Sequence, residues 1–499
     1  MSISVNKQMQ LKNSDSIPAS SRNSGRLVLF GALLCFLSAC SVGPDFVRPE
    51  APKVNRYNHG GDPKETIALE GVAQHFNYGS LPVANWWQLF NSAQLDSAVT
   101  QGLADNPGLQ AAQASLRQSQ NNLRAGSGIF YPQLSATFSQ SREKNSPAVS
   151  GSSLSGSIFN LSTLSASVSY ALDIFGGQRR AVEGLAAQVD QQRAITLGTY
   201  MMLSGNIVNT CIAMAAYQAE IDAMEELIAL EKEQIGIAEK QFQAGITLYA
   251  SVLALRSQLE ALDATLPPLR QKLSQSEHLL ATLEGKTPAE LQPKKIMLTE
   301  ISLPRQLPLS LPSELVRQRP DIMAAEAQLH AASATIGVAT AALFPSFTLN
   351  ANYGQSSQMT SSLFEGKSNV WGAGTNITAP IFNGGTLMSR RKAAVDAYQQ
   401  SFASYRQTVL AAFAQVADIV RALEHDAEVT QIQSQAVKDT RLAMDLVTDN
   451  YKAGLVNYVQ VLAADMQYRK ARISYLQAQA QQLQDTTALF VALGGGLVL

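Results

Sequence analysis

At 499 residues the chain has room for roughly two to four ordinary domains. Charged residues are 15% of it, against a usual ~25%, and the formal net charge is -1, so composition offers no electrostatic case for binding nucleic acid. Ala, Gln, Ser and Leu make up the difference, which gives a polar, weakly charged surface on which helices can approach closely.

The N-terminus reads as a targeting segment. Lys7, Lys12, Arg22 and Arg26 precede the apolar run Leu27-Val28-Leu29-Phe30-Gly31-Ala32-Leu33-Leu34-Cys35-Phe36-Leu37. That run is too short to span a bilayer stably and suits a signal h-region. It ends in Leu37-Ser38-Ala39-Cys40, which resembles a bacterial lipobox. The resemblance implies that residues 1–39 are a lipoprotein signal peptide and that the Cys40 sulfur carries a lipid, with palmitate expected on the mature terminus. Ser41 rather than Asp follows, which in such lipoproteins directs sorting to the outer membrane. An ordinary signal peptide with an accidental Cys is the alternative. With Cys35 removed and Cys40 acylated, Cys211 stands alone in a helical stretch and reads as a small core residue. Outside the signal no run of 18 apolar residues exists, so any membrane crossing must use strands.

Asn106 to Phe130 is an Ala/Gln/Leu-rich helix that Pro132 stops. Gln133 to Gln140 alternates polar and apolar residues as a strand does. A Ser/Gly/Pro/Asn-rich loop, 141–160, follows. In the next strand Ala166, Val168, Tyr170 and Leu172 share one face and Ser165, Ser167 and Ser169 the other, before Asp173-Ile174-Phe175-Gly176-Gly177 closes it. No Pro interrupts Gly177 to Phe242, which predicts one helix of roughly 100 Å. Its second half repeats every seven residues at Ile207, Met214, Ile221, Ile228, Ile235 and Phe242, the spacing of coiled-coil packing. Gly245 fits the left-handed position that ends a helix. The chain then returns antiparallel over Leu248–Leu283, with a break expected at Pro267-Pro268.

The chain then repeats itself. Phe130-Tyr131-Pro132 matches Phe344-Pro345, Asp173–Gly177 matches Ala379-Pro380-Ile381-Phe382-Asn383-Gly384-Gly385, and Phe242-Gln243-Ala244-Gly245 matches Tyr451-Lys452-Ala453-Gly454. A unit this long is half a protein rather than a solenoid repeat. Its helix runs from Pro320 to Phe344. Phe347, Leu349, Ala351 and Tyr353 then alternate with Thr348, Asn350 and Asn352, and Val370 to Ile381 forms the returning strand. The final helix, Leu455–Leu493, carries a 3-4 seam at Leu455, Val459, Leu462, Met466, Arg469, Ile473, Leu476, Ala480, Leu483, Thr487 and Phe490. Arg469 is the one charge in it, placed to snorkel. In each repeat the short helix (roughly 37 Å) and the returning helix (roughly 55–60 Å) sum to about the length of the uninterrupted one, so end-to-end stacking alongside it is expected. Each strand pair is apolar on one face and small or polar on the other, as a wall between lipid and water would be. An edge hairpin on a soluble core is the alternative. Four strands cannot close a transmembrane barrel, since about eight is the smallest. Either there is no barrel or other chains complete it.

Four stretches carry a family resemblance. They are Cys40-Ser41-Val42-Gly43-Pro44-Asp45-Phe46-Val47-Arg48-Pro49; Asn85-Trp86-Trp87-Gln88-Leu89-Phe90 with Leu95 and Asn106-Pro107; Leu311 to Ile322 with Ala325-Glu326; and Ala339 to Pro345 with Ala379 to Gly385. Together they resemble the outer membrane factors of the TolC type, especially their lipoprotein subgroup, over essentially the whole mature chain. The resemblance implies an α+β membrane protein. Three chains would give a trimeric 12-stranded transmembrane β-barrel, four strands per chain. A long periplasmic α-helical barrel of coiled-coil hairpins would continue it, with a mixed equatorial domain between. The implied divisions are an arm and equatorial segment (40–104), a first repeat (105–285), an inter-repeat equatorial linker (286–318) and a second repeat (319–499). The implied partners are two further copies, a periplasmic adaptor protein, an inner-membrane pump of RND, MFS or ABC type, and outer membrane lipid.

No catalytic constellation is visible, and no cofactor is expected. The five His are scattered, none at metal-ligand spacing, and there is neither a Walker A sequence nor a G-x-S-x-G elbow. The reading is a passive conduit. The resemblance places adaptor contacts at the turns: Gly245, Thr247, Leu248 and Ser251 in the first hairpin, Gly454, Val456, Tyr458 and Val459 in the second. Family members commonly carry an Asp after Val-Leu in the second hairpin. Here Val461-Leu462 is followed by Ala463, and Asp465 stands two residues on, about 200° round the helix. Ser251, Gln460 and Asp465 are therefore the candidate gate residues, with a closed tip held by apolar and amide contacts. Efflux of drugs or other small toxic molecules is the leading function; a type I protein-secretion channel and a non-channel coiled-coil lipoprotein are the alternatives.

Overall fold

A computed structural model describes residues 41–68, 73–146, 158–292 and 296–496. The signal segment, Cys40 and most of the 141–160 loop lie outside them. The chain divides into two compact units. One holds 129–180 and 337–389 with the start of the arm to Gly43, and the other holds 44–128, 181–336 and 390 onward.

The first unit is built on one antiparallel sheet of four strands: β2 (Gln133–Lys144), β3 (Ile158–Leu172), β5 (Ser346–Ser357) and β6 (Asn369–Thr378), in that order. The strands run 10 to 15 residues, longer than alternation alone delimited, because the Ser-rich flanks continue the ladder. The duplication's two hairpins are joined through β3 and β5. Register then sorts the side chains. Leu134 pairs with Val168, Val168 with Ala351, and Ala351 with Ala373; on the same face Phe138 meets Leu164 and Tyr353 meets Trp371. The opposite face reads Ser135, Ser167, Asn352 and Gly372 in one cross-strand row. A one-residue slip would exchange the faces, so the pattern fixes the register. Leu134 at 74% and Trp371 at 76% exposure show that none of the described residues covers the apolar face there.

The second unit is helical. After β1 (His75–Tyr78) come α1 (Ala93–Asp105), α2 (Pro107–Ser127), α3 (Gly177–Gln243), α4 (Tyr249–Asp263) and α5 (Leu266–Leu283). Then follow β4 (Gln306–Leu309), α6 (Pro312–Gln318), α7 (Pro320–Ala341), α8 (Thr386–Lys452) and α9 (Tyr458–Ala492). Helices α3 and α8 are each 67 residues, as an unbroken Pro-free run requires. Five of the heptad positions on α3, from Ile207 to Ile235, are buried, while Phe242 at the end is exposed. The break before Pro267-Pro268 falls at Ala264-Thr265, and α5 restarts with the prolines in its first turn, where their missing N–H groups cost nothing. Helix α9 begins at Tyr458 rather than Leu455, because Asn457 caps it by accepting from Gln460 N–H.

End-to-end stacking occurs in both repeats. Asn106 caps α2 by accepting from Leu109 N–H at 3.0 Å, and donates to the Leu283 carbonyl at the end of α5 at 2.9 Å. In the second repeat Arg319, just before α7, donates to the Ala492 carbonyl at the end of α9 at 2.9 Å. Around these joints lies the main core, which alternation did not reveal. Parallel β1 and β4 pair there, Trp86 stacks on Phe490 at 5.3 Å, and Gln74 donates to the Pro304 carbonyl and accepts from Gln482. Cys211 is buried with its thiol pushed up to about 12 by burial, an inert core residue. Among the described residues no helix is long and apolar enough to cross a membrane.

Removing the Phe490 ring, 0% exposed, is expected to cost about 3–5 kcal/mol. Thermal melts followed by circular dichroism should place Phe490→Ala well below the parent. Ile432→Ala, at an exposed position on α8, should stay within about 0.5 kcal/mol of it.

Candidate functional site

The two hairpin turns are the same object built twice. Helix α3 ends when Gly245 takes φ 71°, and α8 ends when Gly454 takes φ 74°. Ile246 N–H reaches back to the Gln241 carbonyl at 2.8 Å and Gly245 N–H to Phe242 at 2.9 Å. Leu455 to Asn450 and Gly454 to Tyr451 repeat this at 2.9 Å each. Both are Schellman closures, which satisfy the orphan carbonyls at the helix end. An aromatic pair straddles each turn: Phe242 with Tyr249 at 5.1 Å, and Tyr451 with Tyr458 at 5.3 Å.

The residue after each Gly normally folds its apolar side chain back onto the helix. Here Ile246 is 75% exposed and Leu455 73%, with Leu248 beside them at 75%. Ile246 and Leu455 were missing from the sequence-based set, although their equivalent positions after the two Gly residues were a usable signal. Thr247, Val456, Tyr458 and Val459 are half-buried, and Ser251 is exposed, its N–H donating to the Leu248 carbonyl.

The gate candidates are not brought together. Among the described residues no hydrogen bond or ion pair joins Ser251, Gln460 and Asp465. Gln460 is exposed, with its backbone N–H spent on the Asn457 cap. Asp465 pairs with Arg469 at 3.1 Å. Arg469 does not snorkel: it and Arg472 both bind Glu226 on α3, the latter at 3.1 Å.

This belongs to a polar ladder between α3 and α9 that the sequence reading missed. Tyr458 donates to Glu233 at 2.8 Å, Arg469 and Arg472 meet Glu226, and Gln477 donates to Glu220 at 2.9 Å. The acidic rungs fall six or seven residues apart on α3, beside the buried heptad positions. The hydrogen bond to Glu233 raises the Tyr458 phenol, keeping it a donor, and burial raises Glu220. Half-exposed pairs contribute ~0–1 kcal/mol each, so the ladder aligns the hairpins more than it stabilises them.

Farther from the turns, Asp426 on α8 has a buried Oδ2 with no hydrogen-bond partner placed among the described residues. Burial first, and then the Asp485 carboxylate facing it from α9, push it up to about 8.

The outer membrane efflux protein family model matches residues 98–286 and 311–495, and the chain belongs to that family. The chain is similar to the pyoverdine export outer membrane protein OpmQ of Pseudomonas putida, at 29% identity over 84% of this chain and 89% of that one. It is similar to the cation efflux system protein CusC of Escherichia coli, at 26% identity over 92% and 96%. Among solved structures, the outer-membrane channel OprN superposes with a TM-score of 0.81 at 26% identity, covering 92% of this chain and 99% of that one. The Campylobacter jejuni channel CmeC shares the fold, with a TM-score of 0.79 at 21% identity over 92% and 95%.

A carboxyl raised in the folded state binds more protons there than in the unfolded chain. Its stabilisation is complete below the unfolded value of 3.8 and is lost as pH rises through about 8. The melting temperature should therefore fall between pH 4 and pH 9, and Asp426→Asn should flatten that slope. An unchanged slope would clear the Asp426 pair.

Proposed function

We propose that this outer membrane efflux channel works as a homotrimer, a passive conduit for drugs or other small toxic molecules. The observation that carries the reading is the four-stranded sheet, with its apolar face uncovered and its two edge strands each paired on one side. Backbone groups at such edges cannot remain open in lipid, so the sheet requires closure by further copies. Three chains give twelve strands and an outward apolar band, and their hairpins form the periplasmic α-helical barrel.

Cys40 anchors each chain by its lipid after removal of residues 1–39. The exposed apolar turns meet a periplasmic adaptor that couples to an inner-membrane pump of RND, MFS or ABC type, and Gly245, Thr247, Leu248, Ser251, Gly454, Val456, Tyr458 and Val459 form the contact. Ile246 and Leu455 extend it. Uncovered apolar side chains at equivalent places in both turns support this, since solvated turns gain nothing from them. The closed tip rests on apolar and amide contacts involving Ser251 and Gln460, because Asp465 is spent on Arg469.

Purified protein in detergent should have the mass of three chains and conduct in planar bilayers, with divalent cations at the periplasmic end leaving conductance little changed. A non-conducting monomer would sink the channel reading. Strong divalent block that Asp465→Ala abolishes would sink the gate reading. Replacing both Ile246 and Leu455 by Asp should abolish export-dependent resistance and adaptor pull-down while leaving the trimer and its conductance intact.

A further inference from the structure

The arm of this protein is seated by backbone contacts that leave it no play. Ser41 lies against Gly176, where a Cβ would stand 2.6 Å from the Ser41 hydroxyl and 2.8 Å from its Cα. Val42 N–H donates to the Phe175 carbonyl at 3.0 Å. Gly43, at φ 96°, abuts Gly337 on α7, and a Cβ on it would come within 2.5 Å of the Gly337 Cα. Only glycines permit these approaches.

The strand-to-helix turn that receives the arm also walls a groove of about 390 Å³. Leu172, Ile174, Phe175, Val338, Ala342 and Phe344 supply its apolar lining. Phe175 belongs to both features: its carbonyl holds Val42 and its ring stacks on Phe344 at 4.7 Å. The one charged group in the lining, Asp173, is already spent, accepting from Gln178 N–H at 2.9 Å and Arg179 N–H at 2.8 Å. Gln178, Ser346 and Thr378 add polar atoms to the lining, and Gln178 Oε1 is buried with no hydrogen-bond partner among the described residues, but the groove offers no free charge and its apolar wall suits a hydrocarbon.

Ser41, the first seated residue of the arm, directly follows Cys40 in the sequence. We propose that this groove is an acyl-chain site, occupied by one hydrocarbon chain of the lipid borne by Cys40. This rests on the lipidation of Cys40. The arm's tight seat then delivers the chain to the protein wall, and one acyl chain lies along the protein instead of among the bilayer lipids.

The test feeds expressing cells a palmitate analogue with a photoreactive diazirine. Full-length protein is then purified, irradiated, digested and mapped by mass spectrometry. Intact mass reports the lipid on Cys40, and cross-links report where its chains lie. The expected result is cross-links from the Cys40 lipid to peptides containing Phe175 or 338–344. Ala342→Trp, at an exposed lining position, should reduce them severalfold with the lipid mass unchanged. Gly176→Ala, which displaces Ser41, should reduce them too. Lipid mass present with cross-links only to bilayer lipid would overturn the groove site and leave lipidation standing. Absence of the lipid mass would overturn lipidation itself, and the groove site with it.

Discussion

Two 67-residue helices impose the constraint on which the helical unit depends. A helix of roughly 100 Å cannot bury a continuous apolar seam alone and needs a partner of equal length. Each repeat supplies that partner in two pieces, and the joint between the pieces is the critical contact. A helix end left open there would bury orphan carbonyls and N–H groups. Asn106 resolves the first joint with one side chain, its oxygen capping α2 and its amide nitrogen closing α5. Arg319 resolves the second differently, with a buried guanidinium shared among the Ala492 carbonyl, Asp321 and Gln415. The duplication kept the joint and changed its chemistry.

Because the joints fix the helices lengthwise, the turns at the far ends are fixed too. The two turns share backbone closure, aromatic pair and exposed apolar residue, but the polar ladder treats them unequally. Tyr458 ties the second turn to Glu233 on α3. At the equivalent place in the first hairpin, Tyr249 packs its ring against Phe242, and no hydrogen bond ties it to another helix among the described residues. Half-exposed contacts of this kind contribute ~0–1 kcal/mol each, so they set the alignment of the seam more than its stability.

The sheet poses the opposite problem. Its register is strongly specified, since the central rows set apolar residues on one face and small or polar ones on the other. Its surroundings are left undetermined, with an uncovered apolar face and two open edges. The helical unit buries its core residues within one chain, whereas the sheet leaves its apolar face and both edges open among the described residues. Small residues serve each: Gly102 and Gly205 let helices approach in the helical unit, and Gly176 and Gly337 let the arm press in on the other.

Much of this was legible in the sequence. A Pro-free run gave the long helices, a seven-residue spacing gave the buried line on α3, alternation gave the strands, and two Gly residues gave the turns. These are local signals, set by backbone sterics and by periodicity along one element. The rest depended on residues far apart in the chain. β1 and β4 are too short to show alternation, and Trp86 finds Phe490 across some four hundred residues. Glu220, Glu226 and Glu233 look like ordinary solvated carboxylates until α9 lies beside them. Asp426 carries no mark of the Asp485 carboxyl it faces, whereas the Asp465–Arg469 pair, four residues apart on one helix, was a local signal the spacing offered. The sequence by itself determined the long helices, the four long strands and which of their faces are apolar, because those follow from neighbours a few residues away. Only the tertiary structure decided which charges meet, how the stacked helices are joined and where the arm rests, because each of those depends on groups that packing alone brings together.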